Sequence, residues 1–514
     1  MKIKDTRWEV VIMSAVGAAI AFSIANGIGA RQKLFSFAFP SGSEADVFRY
    51  LGQNYCREQN IACRFVELDY ETLFRHELRE LMSSSGNCAA DPDDIIAIDD
   101  PWLPRLMATD CLYPLADGSD IRATDFVGRA LGVAQFSDGP NKGDYAAAPI
   151  LGNVQLLAVN RDRLISSESA QVCKGTTWRE LIHGGKHGWP PHSAGIVLRG
   201  ASRNPFLTDF MPLLRQVDER SLPETLSTSP AFTPDALAAF REFEYIIQNA
   251  PDSYASLSDF DSQALVFKNV AAFAVTWSNT AMLSRLDFAG IPGAGEKDGS
   301  PHVDHIEHCR MPGDDAEIGE WLVAIPKAGD KRRAMAFIKW LTSVRTPERT
   351  NEGAESHSNA DQPPMLQAAL LKGNPPTLES IYRDKDFQDA FPLLGDEIRT
   401  ALSRGFYRPR DPNWDCMRNK ISDSLDALAS EEVNLLRRRD TKTIPNPYKY
   451  VRQLNLFIAC IQQKQKAAYT KRAYVCDPSG DSDPADVQAC WLNPGAYIGD
   501  AATKAPEWKY WQNE

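Results

Sequence analysis

Short apolar segments alternate with segments of helical period between residues 33 and 107, and this alternation constrains the fold more than any other feature of the sequence. The pattern predicts strands at 33–39, 63–68 and 94–98, each followed by a helix. Strand–helix alternation builds a parallel sheet flanked by helices. In such sheets ligands bind beyond the carboxyl ends of the strands, which are here residues 40–43 and 99–102. The sequence therefore predicts a ligand site at these two loops.

A second unit of the same type is predicted from residue 149 onward. Apolar runs at 154–160, 271–277 and 320–325 are typical of buried strands, and the spacing predicts helices at 333–341 and 413–439. A chain of 514 residues is too long for one ordinary core. We therefore expect an α/β protein of at least two lobes.

The first thirty residues differ from the rest. Lys2, Lys4 and Arg7 precede an uncharged apolar run at 10–28, and small residues follow it. This order is typical of a secretory signal, and the run is also nearly long enough for an uncleaved membrane anchor. We expect residues 1–30 to direct export to the periplasm or another extracytoplasmic space, and any tether to the inner membrane to use this segment.

Charge and cysteine content limit the partners and the compartment. The net charge of −12 argues against nucleic acid or an anionic membrane as the main partner, so membrane contact is expected only through the N-terminal segment. The ten cysteines form no CxxC motif, and after export several are expected to form disulfides. Cys56 with Cys63, and Cys476 with Cys490, are close enough in sequence to pair.

Six segments carry a family resemblance. In chain order they are FAFPSGSEADVFRYLGQNYCREQNIACRFVEL, DDIIAIDDPWLPRLMATDCLYPLAD, APILGNVQLLAVNRDRL with the following TTWRELI, VFKNVAAFAVTWSNTAML, EWLVAIPKAGDKRRAMAFIKWLTS and FYRPRDPNWDCMRNKISDSL. Together they resemble the family 1 extracellular solute-binding proteins of ABC importers, which include maltose- and other oligosaccharide-binding proteins. The resemblance covers roughly residues 33–439.

The resemblance implies a type II periplasmic-binding-protein-like fold. Its two lobes are discontinuous in sequence, each has a mostly parallel sheet flanked by helices, and the ligand lies in the cleft between them. We expect an N-terminal lobe at 33–148 plus 289–345 and a C-terminal lobe at 149–288 plus 346–440. A His-rich insertion near 302–309 and a C-terminal extension at 441–514 depart from the family pattern. The extension could cover the cleft or dock elsewhere.

A sugar site needs flat aromatic rings for stacking and carboxylates or amides for paired hydrogen bonds. The resemblance places Trp102, Trp277 and Trp321 where relatives have cleft aromatics, and core packing is the alternative for each. The full set of candidate ligand-binding residues is Ser41, Ser43, Glu44, Asp99, Asp100, Trp102, Asn153, Trp277, Trp321 and Arg408. Helix capping is the alternative for the serines and Asp100, and a salt bridge is the alternative for Arg408.

Metal binding and catalysis receive little support. His302, His305 and His308, with Cys309, have a spacing that on a helix would suit a transition metal, but the neighbouring charges favour a solvated segment. The sequence contains no GxSxG, HExxH or P-loop motif, and adjacent Asp99 and Asp100 make a poor acid–base pair. We expect neither an enzyme nor a cofactor.

Three functions follow from these observations. The first is an exported receptor that captures a small polar ligand, expected to be a carbohydrate, and delivers it to the permease of an ABC importer. The second is a membrane-tethered ligand sensor or adaptor that uses the same clamp. The third is a metal receptor that uses the histidine cluster.

Overall fold

The computed structural model describes residues 34–83, 87–137, 140–164, 173, 177–183, 194–200, 203–226, 231–249, 257, 259–286, 306–344, 362–437, 447–468 and 485–492. The N-terminal segment predicted to direct export lies outside these residues, as do His302 and His305. Within the described residues, no helix combines the length and the apolar character that crossing a membrane requires.

Strands and helices alternate along the chain. The strands are β1 (Phe35–Pro40), β2 (Cys63–Leu68), β3 (Ile95–Asp99), β4 (Ala148–Asn160), β5 (Ala194–Val197), β6 (Ala271–Trp277), β7 (Ile306–Arg310), β8 (Glu317–Ala324) and β9 (Phe406–Tyr407). The helices are α1 (Ser43–Glu58), α2 (Tyr70–Leu81), α3 (Leu103–Met107), α4 (Trp178–His183), α5 (Arg203–Val217), α6 (Ala236–Asn249), α7 (Asp259–Phe267), α8 (Ser278–Leu286), α9 (Lys331–Leu341), α10 (Pro364–Lys372), α11 (Glu379–Tyr382), α12 (Lys385–Ala390), α13 (Leu394–Arg404), α14 (Trp414–Arg437), α15 (Pro447–Ala468) and α16 (Ala485–Leu492).

The strands form one continuous sheet in the order β2-β1-β3-β8-β4-β6-β5, with β7 on β4 and β9 on β8. The pairs β1–β2, β1–β3 and β5–β6 are parallel, as the strand–helix alternation predicts. Strands β8 and β4 join these parallel groups by antiparallel pairing. The result is two α/β lobes around a pair of shared antiparallel strands.

Strand β4 is the long connection between the two lobes. Its first part pairs with β8 as far as Val154, and from Gln155 onward it pairs with β6. All thirteen of its residues are buried, which explains why the sequence here is a long apolar run that includes Asn153 and Gln155. A strand shared in this way makes the chain crossing between the lobes part of the sheet. The proposed lobe boundaries themselves stay predictions.

Disulfides brace both ends of the described chain. Cys56 pairs with Cys63, which confirms one of the two pairings suggested by the sequence. The other is wrong, because Cys490 pairs with Cys460 and not with Cys476. Sequence separation alone did not predict this pair. Helices α15 and α16 pack against each other, and this contact brings Cys460 next to Cys490 although the two are 30 residues apart. Cys88–Cys111 and Cys173–Cys309 are also bonded.

The described helices of the C-terminal extension pack against α14 and α6. The buried Asn455 of α15 exchanges two hydrogen bonds with the backbone of Phe232, at 2.7 and 2.9 Å. No residue of α15 or α16 lines the cleft described below. The sequence left open whether the extension covers the cleft or docks elsewhere. Its described helices dock elsewhere, on α14 and α6.

Candidate functional site

A cleft of about 750 Å³ opens at the carboxyl ends of the parallel strands, next to the shared strands β4 and β8. Its walls combine aromatic, acidic, amide and arginine side chains. The lining residues are Pro40, Ser41, Glu44, Asp69, Tyr70, Glu71, Asp99, Asn153, Arg199, Thr208, Trp277, Gly319, Trp321, Arg408, Arg418 and Asn419. The dimensions suit a small organic solute.

Seven of the residues predicted from the sequence lie in this wall. They are Ser41, Glu44, Asp99, Asn153, Trp277, Trp321 and Arg408. The positions of the first three follow from the topology, because β1 and β3 are parallel neighbours and their carboxyl ends meet at one edge of the sheet. The rule that located the two loops from sequence therefore locates this side of the cleft.

Trp102 does not line the cleft. Only 1% of its surface is exposed, and its ring stacks on Phe74 with centroids 5.0 Å apart. Trp321 meets its edge at 5.5 Å. Trp102 is therefore packed in the core, among the rings of Tyr70, Phe74 and Trp321.

Asp100 also lies outside the lining. Asp100 is buried behind Asp99, and its Oδ1 accepts hydrogen bonds from the Glu320 backbone N–H at 3.1 Å and from Arg408 at 2.5 Å. Its carboxylate thus bonds within the protein and caps no helix. Ser43 is the first residue of α1, with Gly42 at the cap position, and its side chain lies outside the described part of the chain.

Several lining residues were not predicted from the sequence. Asp69, Tyr70 and Glu71 follow the carboxyl end of β2, so the strand-end rule applied to a third strand would have found them. Arg199, Arg418 and Asn419 carry no such signal. They are distant in sequence and enter the wall from a loop and from α14.

Arg408 is the centre of a buried ion cluster at the base of the cleft. Its guanidinium lies 3.0 Å from Asp99 Oδ1, 2.5 Å from Asp100 Oδ1 and 3.5 Å from Glu317 Oε1. Tyr70 donates its hydroxyl to the other Asp99 oxygen at 2.5 Å. The sequence offered a cleft position or a salt bridge for Arg408. The side chain has both, because it lines the cleft and is paired with buried carboxylates.

Two further arginines in the wall are also paired. Arg199 is fully buried and forms an ion pair with Asp209, and its guanidinium lies 5.3 Å from the ring centroid of Trp277. Arg418, on α14, bonds Glu71 and Asp415, each at 2.6 Å. The Arg418–Glu71 contact joins α14 to the first turn of α2 at the cleft.

The two tryptophans of the wall differ in what they can offer. Trp277 is half-buried, whereas Trp321 is only 6% exposed and is surrounded edge-on by Phe48, Tyr70 and Trp102. Only Trp277 therefore presents substantial ring surface to a ligand. Asn153 has a second task, since its Oδ1 accepts hydrogen bonds from Ser278 Oγ and the Asn279 N–H at the start of α8.

Gly319 makes room for the Trp277 ring. A β-carbon on Gly319 would lie 2.9 Å from the indole, closer than real contacts allow. We expect Gly319→Ala to displace the ring and to cost about 1–3 kcal/mol of stability. Chemical denaturation and tryptophan emission would measure both effects. Gly132→Ala is the matched control, because a β-carbon there meets nothing within 4 Å; equal effects for the two variants would contradict the packing argument.

The buried carboxyl groups predict a pH dependence. Burial raises the pKa of Asp100 to about 7 and that of Glu317 to about 8, although the Arg408 charge opposes both shifts. The folded state thus holds protons that the unfolded chain has released, so stability is lost as pH rises through these values. We expect the free energy of unfolding to fall from about pH 5, just above the ordinary pKa of these carboxyls, to about pH 8, where the folded state has released the same protons, and Glu317→Gln to reduce this slope. A flat profile in denaturant titrations would contradict it.

The histidine cluster is not supported as a metal site by its described members. Residues 306–310 form a strand, so the helical-face argument does not apply to His308. Its ring is buried next to Gln263, and burial lowers its pKa to about 3. Cys309 is bonded to Cys173 and is unavailable as a thiolate ligand.

The fold and the interlobe cleft define a two-lobed solute-binding protein. A family model described as bacterial extracellular solute-binding protein matches residues 77–388. The chain therefore belongs to the bacterial extracellular solute-binding protein family, as its six sequence segments indicated, and the family's location is outside the cytoplasm. A search of curated proteins found no match.

Solved structures show the same fold. Maltose-bound MalE3 of T. maritima is 17% identical and aligns with a TM-score of 0.60 over 82% of this chain and 97% of its own. A solute-binding protein of Agrobacterium radiobacter K84 in complex with ribitol is 17% identical. It aligns with a TM-score of 0.61 over 82% of this chain and 97% of its own. The sugar-binding protein MalE of Xanthomonas citri is 13% identical and aligns with a TM-score of 0.60 over 85% of this chain and 100% of its own. At these identities the likeness concerns the fold.

Proposed function

We propose that the protein is an extracytoplasmic receptor that captures a carbohydrate or polyol in the cleft and delivers it to the permease of an ABC importer. The observation that carries the proposal is the cleft itself. It combines one accessible indole, Trp277, with carboxylate and amide groups at the strand ends, in a chain that belongs to a solute-binding family. Neighbours of the same fold hold maltose and ribitol.

The two lobes supply the mechanism of capture. We assign residues 33–148 and 289–345 to one lobe and residues 149–288 and 346–440 to the other. Under this assignment Glu44 and Asp99 face Trp277 and Arg199 across the cleft. A ligand that contacts both walls favours the closed arrangement, because only that arrangement satisfies all contacts together. The permease would then recognise the closed form.

A thermal-shift panel tests the ligand class. The chain without residues 1–30 is heated with maltose, mannitol, ribitol and longer oligosaccharides. A ligand at 100 times its Kd adds about 2.7 kcal/mol to the stability of the native state, which raises the melting temperature. A rise with at least one of these solutes supports the proposal. Unchanged melting with all of them, together with a shift by a metal ion or an amino acid, would overturn the carbohydrate assignment.

A further inference from the structure

We infer that the cleft accepts an uncharged polyhydroxy solute and excludes its anionic forms, such as sugar phosphates and uronates; this inference rests on the proposed function. The basis is the state of the positive charges in the wall. Three arginines line the cleft, Arg199, Arg408 and Arg418. Among the described lining residues, no lysine or histidine adds a further cation.

Each arginine already holds carboxylates of the protein. The Arg199 guanidinium is bonded to buried Asp209 and to Thr208 Oγ1, the latter at 2.9 Å. Arg408 is bonded to Asp99 and Asp100, as described above. The side chains of Arg199 and Arg408 are at most 4% exposed. An anionic ligand would have to displace these internal partners, and each displaced carboxylate would then be buried without its counter-ion.

Arg418 is shared between two carboxylates. Its Nη2 lies 2.6 Å from Glu71 Oε1 and 2.6 Å from Asp415 Oδ1, so the local group has one negative charge in excess. The Arg418 guanidinium also covers the Tyr70 ring, 5.4 Å from its centroid. A phosphate or carboxylate that approaches this wall therefore meets a net negative group.

Two helix N-termini at the cleft are occupied by acceptors of the protein itself. Such termini bind anions through their first backbone N–H groups. At α2 the Thr72 N–H donates to the Asp69 carboxylate at 3.0 Å, and Asp69 itself lines the cleft. At α8 the Asn279 N–H donates to Asn153 Oδ1 at 3.1 Å. These two termini thus already have protein acceptors, one of them charged. At the third, α1, the cap residue Gly42 offers no side-chain acceptor, but the acidic Glu44 of the first turn lines the cleft.

Paired solutes test the inference directly. Calorimetry would compare maltose, mannitol and ribitol with maltose 1-phosphate, mannitol 1-phosphate and ribitol 5-phosphate. We expect every neutral solute that binds to bind at least tenfold more tightly than its phosphate. A phosphate that equals or exceeds its neutral parent overturns the inference and leaves the proposed receptor function intact. If none of the six binds, the carbohydrate proposal fails, and this inference fails with it.

A charge-removal variant sharpens the test. Glu71→Gln combined with Asp415→Asn removes both carboxylates from Arg418. We expect the affinity for the phosphate, relative to its neutral parent, to rise at least tenfold. Glu307→Gln is the control, since it also removes a carboxylate from an arginine, Arg161, but lies outside the cleft lining. An unchanged ratio in the folded double variant, or an equal rise in the control, contradicts the inference.

Discussion

Replacing Arg408 by methionine is expected to lower the free energy of unfolding by about 3–5 kcal/mol, the cost of removing one partner from a buried ion pair. Methionine preserves much of the aliphatic length, so the loss comes from the charge. Asp99, Asp100 and Glu317 would remain in the base of the cleft without their common cation. Urea denaturation followed by circular dichroism would measure the change.

The pH dependence of this loss identifies its origin. Carboxyl groups that lose the Arg408 charge can reduce their repulsion by taking up protons, so the deficit should be larger at pH 8 than at pH 5. Arg161→Met is the matched control. Arg161 forms an exposed ion pair with Glu307, for which we expect a loss of at most about 1 kcal/mol. Losses of similar size in the two variants would show that Arg408 is not the centre of the cluster.

Replacing Trp277 by alanine is expected to weaken ligand binding by about 2 kcal/mol or more, or roughly thirtyfold, as for a buried aromatic anchor of an interface. The reason is that Trp277 is the half-buried tryptophan of the lining, while Trp321 is only 6% exposed. Calorimetry with a solute identified in the thermal-shift panel would measure the loss.

Trp340→Ala is the control for the loss of an indole. Trp340 lies on α9, donates its Nε1–H to Glu58 at 2.7 Å and does not line the cleft. We expect its effect on affinity to be within a factor of two. If Trp277→Ala binds as the unaltered protein does, while Trp340→Ala or Trp321→Ala loses binding, the assignment of the stacking platform is wrong.

The parallel strands and their carboxyl ends could be predicted from the sequence because the relevant information is local. Apolar runs and helical periods mark β1, β2 and β3, and topology then brings the residues after them to one edge. This reasoning placed Glu44 and Asp99 in the cleft. The family and the type II fold came instead from the resemblance of six sequence segments, which the family match confirms.

Side-chain direction and distant partners could not be predicted in this way. An aromatic residue just after a strand has the same sequence signature whether it faces a cleft or the core, and the packing partner of Trp102, Phe74, lies on a separate helix. Arg199 and Arg418 owe their positions to Asp209 and Glu71, pairs that form only in the folded chain. The neighbouring charges favoured a solvated segment around His308, and this was wrong, because the residue is buried on β7, where a spacing of three residues does not place side chains on one face.

Small-angle X-ray scattering, with and without a saturating solute whose binding calorimetry has established, tests the central claim most directly. The account predicts a smaller radius of gyration and a changed profile in the bound state, because the lobes close on the solute about the strands β4 and β8. Superimposable profiles at full saturation would contradict it.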